Sequence, residues 1–189
     1  MSSSRPMRAD ARRNYEKLLA TAHEMFTEHG TDASLEEIAR RCGVGIGTLY
    51  RHFPTRDDLL EALLHDRFES LAAETEELLR AHPPGEALTR WLGRLTARAF
   101  IYRGLPDSVM TTMADEDSRL YASCHRMRDA AAGLVVAAQR AGAVRAEVDP
   151  DDVLALAGGV AWVGERTGGD TARVERLLEL VMTGLRLER

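Results

Sequence analysis

Between residues 45 and 56 the chain collects side chains suited to binding a polyanion: Thr48, Tyr50, Arg51 and His52, then Thr55 and Arg56. Hydroxyl, phenol, imidazole and guanidinium groups donate hydrogen bonds to phosphate oxygens and base edges, and no carboxylate interrupts this run. Arg51 is the one residue there able to make a bidentate pair with guanine, the commonest specific contact in a major groove. The methyl groups of Ile46 and Thr48 suit thymine methyls, and Gly45 and Gly47 let a backbone come close. A second use for Arg51, reaching a phosphate, stays open.

Such a cluster needs elements that hold it outward. Ser34 is a good N-cap, and Glu37 three residues on completes a capping-box pattern. Leu35, Ile38, Ala39 and Cys42 fall at helical spacing, and Gly43 stops that helix. Val44 is placed to plug the corner, and a second helix starts near Gly45 or Ile46. Leu49 and Phe53, four apart, face inward, while Thr48, Arg51 and His52 face another way. Two short helices across a tight turn, one with a basic outer face, have the layout of a helix-turn-helix.

The run from Gly43 to Leu60, with Thr48-Leu49-Tyr50-Arg51-His52-Phe53 at its centre, resembles the signature of TetR-family transcriptional regulators. So do Ala22-His23-Glu24-Met25-Phe26, Gly30 and the stretch Ser34 to Cys42, so the likeness covers roughly the first third of the chain. Thr31 stands where the family usually has an aromatic, and Arg51 occupies a position that varies between members. The resemblance implies that Tyr50 and His52 hold phosphates. Ser34, Thr55 and Arg56, at neighbouring helix starts, are similarly placed to grip the DNA backbone. It also implies a dimer formed through the last two helices.

The chain has 189 residues, enough for one large or two small domains. Net charge is −5, but residues 1–53 carry eight Lys or Arg against seven acids, leaving six net negative charges on the rest. That asymmetry points weakly to an N-terminal nucleic-acid face. Lys17 is the sole lysine. Cys42 and Cys124 read as free thiols in a reducing cytoplasm, with a redox switch at Cys124 the outside alternative. Met1 to Arg13 is polar and basic, without the apolar core of a secretion signal, and no run approaches a membrane span. Enzyme constellations are missing: there is no nucleophile elbow or phosphate-binding glycine loop. His23 and His29, six apart, point some 120° from each other on a helix. No metal or cofactor is expected.

Residues 1–9 read as a polar segment, either a frayed end or a basic arm using Arg5 and Arg8. A helix is predicted from Asp10 to His29 with Leu18, Leu19, Ala22, Met25 and Phe26 inward. Thr55 caps a long helix to Ala81, with Asp58 three residues on, and His82-Pro83-Pro84-Gly85 breaks it. Helices follow over Glu86 to Arg103, Asp107 to Ala114 and Glu116 to Ala141. Asp149-Pro150 opens the next, Asp152 to Glu165 being apolar nearly all round, and the last spans Thr171 to Leu187. No strand signal or repeat appears.

The expectation is an all-α chain of about nine helices: a DNA-binding head over 1–53 and a regulatory body over 54–189. Val153, Leu156, Val160, Val174, Leu178, Val181 and Leu185 are candidates for an intersubunit helix bundle, the alternative being a core within one subunit. Gly158 and Gly159 in mid-helix cost stability unless a close backbone approach needs them. Trp91, Phe100, Met110, Met113, Tyr121, His125 and Trp162 are candidates for an effector pocket, though each alone is better explained by core packing. The function expected is a homodimeric, ligand-responsive repressor of a pseudo-palindromic double-stranded DNA operator, not an enzyme. The alternatives are a ligand-independent regulator or activator, or a helical enzyme or adaptor that kept the head.

Overall fold

The computed structural model describes residues 4–99, 105–167 and 170–186. Among them are nine helices and no strand. These are α1 (Ser4–His29), α2 (Leu35–Cys42), α3 (Ile46–His52), α4 (Arg56–Ala81), α5 (Pro84–Ala99), α6 (Asp107–Ala114), α7 (Arg119–Arg140), α8 (Pro150–Arg166) and α9 (Thr171–Leu185). None of the helices described is long and apolar enough to cross a membrane.

The chain divides into two compact units. The first holds α1 to α3, α4 as far as Leu64, and α6; the second holds the rest of α4 with α5 and α7 to α9. Neither the expected boundary after residue 53 nor the assignment of α6 to the body coincides with this division. Periodicity marks where α6 lies but not which unit it packs with.

In the first unit, Leu18, Ala22, Met25 and Phe26 of α1 are buried, as are Ile38, Ala39 and Cys42 of α2. Leu49, Phe53, Leu59 and Leu60 are buried too, and Val109 of α6 is fully so. The first helix starts at Ser4, six residues before the position expected from periodicity. Thr55 caps α4 as predicted, in a reciprocal pair: Asp58 N donates to Thr55 Oγ1 at 3.1 Å, and Thr55 N to Asp58 Oδ2 at 2.8 Å.

The second unit is built around Trp91, fully buried, whose Nε1 donates to Leu71 O at 2.9 Å. Leu88, Leu92, Leu134, Val135, Val153 and Leu178 belong to the same core. Pro84 is the first residue of α5 rather than part of a longer break, because its fixed φ and missing N–H suit a helix start. Helix α7 starts three residues later than expected: Ser118 Oγ accepts from Tyr121 N at 2.9 Å, while Asp115 Oδ1 takes Asp117 N at 3.1 Å in a preceding turn. Gln139 Nε2 holds the connector to α8 through the carbonyls of Arg145, Ala146 and Val148, at 3.1, 3.2 and 2.8 Å. Asp170 Oδ1 caps α9 by accepting from Arg173 N at 2.9 Å. Gly168 and Gly169 lie outside the described residues.

Candidate nucleic-acid interface

The turn between α2 and α3 is closed by the backbone alone. Gly43 has φ +74°, its N–H donates to Arg40 O at 3.1 Å, and Val44 N donates to Ala39 O at 3.0 Å. That pair of bonds is a Schellman motif, and the left-handed conformation is why glycine stands at 43. Ser34 Oγ accepts from Glu37 N at 3.2 Å, as the N-cap reading requires. Glu37 does not complete the capping box. Its carboxylate takes Arg40 Nε at 2.8 Å and Arg41 Nε at 3.3 Å, and chiefly the Arg40 bond lowers its pKa to about 2. Arg41 reaches on to Glu28 at 3.3 Å, tying α2 to α1.

Helix α3 is only seven residues long, below what an isolated helix sustains in water. It is held by burial of Leu49 and Phe53. Tyr15 on α1 adds a bracket: its ring lies 5.2 Å from Phe53 and edge-on to His52 at 5.9 Å. Spacing alone does not single out Tyr15, which sits one turn before Leu18 and Leu19 on the inward stripe. The opposite side of α3 is open: Ile46 is 36% and Tyr50 43% exposed, and Arg51 is exposed. A Cβ added at Gly45 or Gly47 would meet nothing within 4 Å, so nothing else in the described chain crowds that surface.

Two arginines differ in what engages them. Arg51 lies along its own helix, Nε donating to Gly47 O and Nη2 to Thr48 Oγ1, both at 3.2 Å. Arg56 Nη1 donates to Thr31 O and Ala33 O, both at 2.6 Å. It is partly buried and clasps the loop between α1 and α2, a use that the backbone-gripping expectation for Arg56 did not contain. Thr31, where an aromatic was the family norm, is buried.

The candidate pocket residues have different surroundings. Trp91 is core. Phe100 lies outside the described residues. Met110, exposed, and Met113, half-buried, are on α6 of the first unit. Tyr121 and His125 stack at 3.8 Å on α7. Trp162 is 56% exposed, with the Arg166 guanidinium 4.9 Å from its ring centroid. Trp91 is fully buried while Trp162 points outward, so the two have different surroundings. Cys42 is buried and Cys124 half-buried, both as free thiols, and burial raises the Cys124 pKa, which disfavours the reactive thiolate.

The dimer candidates also divide. Val153, Val174, Leu178 and Leu185 are buried in the core of the chain itself, and Val160, buried there too, also lines a groove between α8 and α9. Leu156 remains exposed, at 47%, and Val181 is half-buried. With Trp162, Val163, Leu177 and Gly159 these two line an open apolar groove of about 770 Å³ between α8 and α9.

A capped helix, a Schellman turn and a short outward-facing helix braced by α1 define a helix-turn-helix module. Residues 18–63 match the model of bacterial regulatory proteins of the tetR family, and residues 83–187 match the SbtR-like transcriptional regulator C-terminal domain. The TetR transcriptional regulator SCO0520 of Streptomyces coelicolor is 38% identical in sequence. The alignment covers 92% of this chain and 99% of that one, with a TM-score of 0.76. A TetR transcription regulatory protein of Mycobacterium vanbaalenii is 33% identical over 96% of this chain and 100% of its own, with a TM-score of 0.66. An HTH-type transcriptional regulator of Staphylococcus aureus is 44% identical over 54 residues, which span 28% of this chain and 29% of that relative. The chain belongs to the TetR family of transcriptional regulators.

Proposed function

We propose that the chain is a homodimeric repressor that binds a pseudo-palindromic double-stranded DNA operator through α3 and is released by a small-molecule effector. One observation carries the DNA-binding part: a helix anchored inward by Leu49 and Phe53 turns Ile46, Gly47, Tyr50 and Arg51 to open solvent. In this reading Ile46, Gly47, Thr48 and Arg51 read base edges, while Tyr50, His52, Ser34 and Thr55 fix register through phosphates. Repression and release rest on family membership, with the effector assigned to the helices beyond the head.

The dimer reading rests on the outward face of α8 and α9. Leu156, Trp162 and Leu180 are 47%, 56% and 68% exposed, and an added Cβ at Gly158 or Gly159 meets nothing within 4 Å. Glycines in mid-helix with nothing beside them suit the close approach of another helix. Helix α8 begins with Asp151 and Asp152 and ends with Arg166, so antiparallel copies related by a two-fold axis would set opposite charges together.

Selection of bound sequences from a random DNA pool tests the reading. Inverted half-sites one helical turn apart are expected. Arg51→Ala is expected to relax preference at one base pair per half-site; equal weakening of every sequence would make Arg51 a backbone contact. Recovery of single, unpaired half-sites, or of no enriched sequence, would refute the proposal.

A further inference from the structure

The guanidinium of Arg51 has two hydrogen-bonding forks, a side fork formed by Nε and Nη2 and an end fork formed by Nη1 and Nη2. In this structure the side fork is already docked on the helix: Nε donates to Gly47 O and Nη2 to Thr48 Oγ1, both at 3.2 Å. The end fork is left for a ligand. An exposed arginine otherwise loses much rotamer freedom when it binds. Thr48 is half-buried, so its hydroxyl is a steadier anchor than a surface group on a mobile stem.

We infer that Thr48 is a positioning residue for Arg51, and that its hydroxyl aims the end fork of the guanidinium at a guanine. The inference rests on the proposal that α3 reads DNA, and gives Thr48 a task separate from contact of its methyl group with thymine. Hydroxyl and methyl can be removed one at a time. Thr48→Val keeps the branched shape and deletes the hydroxyl; Thr48→Ser keeps the hydroxyl and deletes the methyl.

The test is a base-resolved binding profile of the full chain against a library of operator variants, for Thr48→Val, Thr48→Ser, Arg51→Ala and the Thr48→Val/Arg51→Ala double variant. Thr48→Val is expected to lower guanine discrimination about three- to tenfold, as loss of one hydrogen bond does, at the base pair that Arg51→Ala relaxes. Thr48→Ser is expected to keep it, and the double variant to be no worse there than Arg51→Ala alone. Full guanine discrimination in Thr48→Val, with loss in Arg51→Ala, would overturn the positioning role and leave Arg51 as the reader. Equal weakening of all sequences by Thr48→Val, restored by Thr48→Ser, would make the hydroxyl a phosphate contact and also overturn it. Unchanged base preferences in all four variants would overturn both this inference and the proposal beneath it.

Discussion

Replacing Arg56 with alanine separates bracing from DNA contact. Its Nη1 holds the carbonyls of Thr31 and Ala33, both at 2.6 Å, across 25 and 23 residues of chain. Hydrogen bonds to a charged donor contribute roughly 1.5–3 kcal/mol each. The two here share one nitrogen at a partly solvated site, and water can reach the freed carbonyls, so the sum is discounted to about 1–3 kcal/mol. The loop that would loosen carries Ser34, the N-cap of α2. Thermal unfolding should therefore show a lower midpoint for Arg56→Ala. Operator binding should weaken, while the slope of log affinity against log salt stays near the wild-type value, because no phosphate charge is lost. Arg56→Lys should recover part of the stability, since an ammonium can reach a carbonyl but without the planar fork. An unchanged midpoint together with a slope shallower by about one unit per lost phosphate contact would refute the clasp and return Arg56 to the DNA backbone.

Three further outcomes follow from other parts of the chain. Leu156→Glu should leave the fold of one chain intact, because Leu156 is 47% exposed, yet weaken a dimer by about 1.5–3 kcal/mol, since a partner covers only about half of a side chain worth roughly 1.5–3 kcal/mol when fully buried, and that is lost twice across a two-fold axis; sedimentation at micromolar concentration reads it, and a wild-type monomer that still binds its operator would contradict the dimer. Tyr50→Phe, at an exposed phenol, should weaken binding to all sequences by about 1.5 kcal/mol per head with no change in unfolding midpoint, and a change in base preference would contradict a phosphate role. Glu37 has its pKa lowered to about 2 from 4.5, so its contribution is fully present above pH 4.5 and lost as pH falls toward 2; the midpoint gap between wild type and Glu37→Gln should close over that range and shrink in high salt, and a gap constant with pH would mean the Arg40 and Arg41 contacts do not stabilise.

The head was legible because its signals are local. Ser34, Gly43 and Thr55 each do by backbone chemistry what their residue types suggest, and Leu49 and Phe53 fall on the buried side by spacing alone. Tyr15 and Arg56 were not legible in their present roles, since ring packing across α1 and α3 and a guanidinium spanning 25 residues are tertiary facts. The helix starts missed at Ser4 and Arg119 lie in polar stretches, where periodicity carries no signal. On α8 and α9 apolar spacing exposed its own limit. It marks residues that leave water, but not whether Val153, Leu178 and Leu185 leave it against their own chain or a partner. Leu156 and Trp162 lie on the same helix as Val153 but on its exposed side.

The short α3 shows why reading and folding can be tuned apart in this head. Seven residues cannot hold a helix unaided, so its stability comes from Leu49, from Phe53 beside Tyr15, and from the Schellman turn at Gly43. Each of these lies on the inward side or in the backbone. The outward residues Ile46, Gly47, Tyr50 and Arg51 add little to that sum, and Gly47 even costs helix stability where an added Cβ would meet no atom of the described chain. A side chain absent where space is free leaves room for something outside the chain to come near. On this surface the candidate is a groove of DNA, whose sequence can be followed by changing outward residues without disturbing the anchors beneath them.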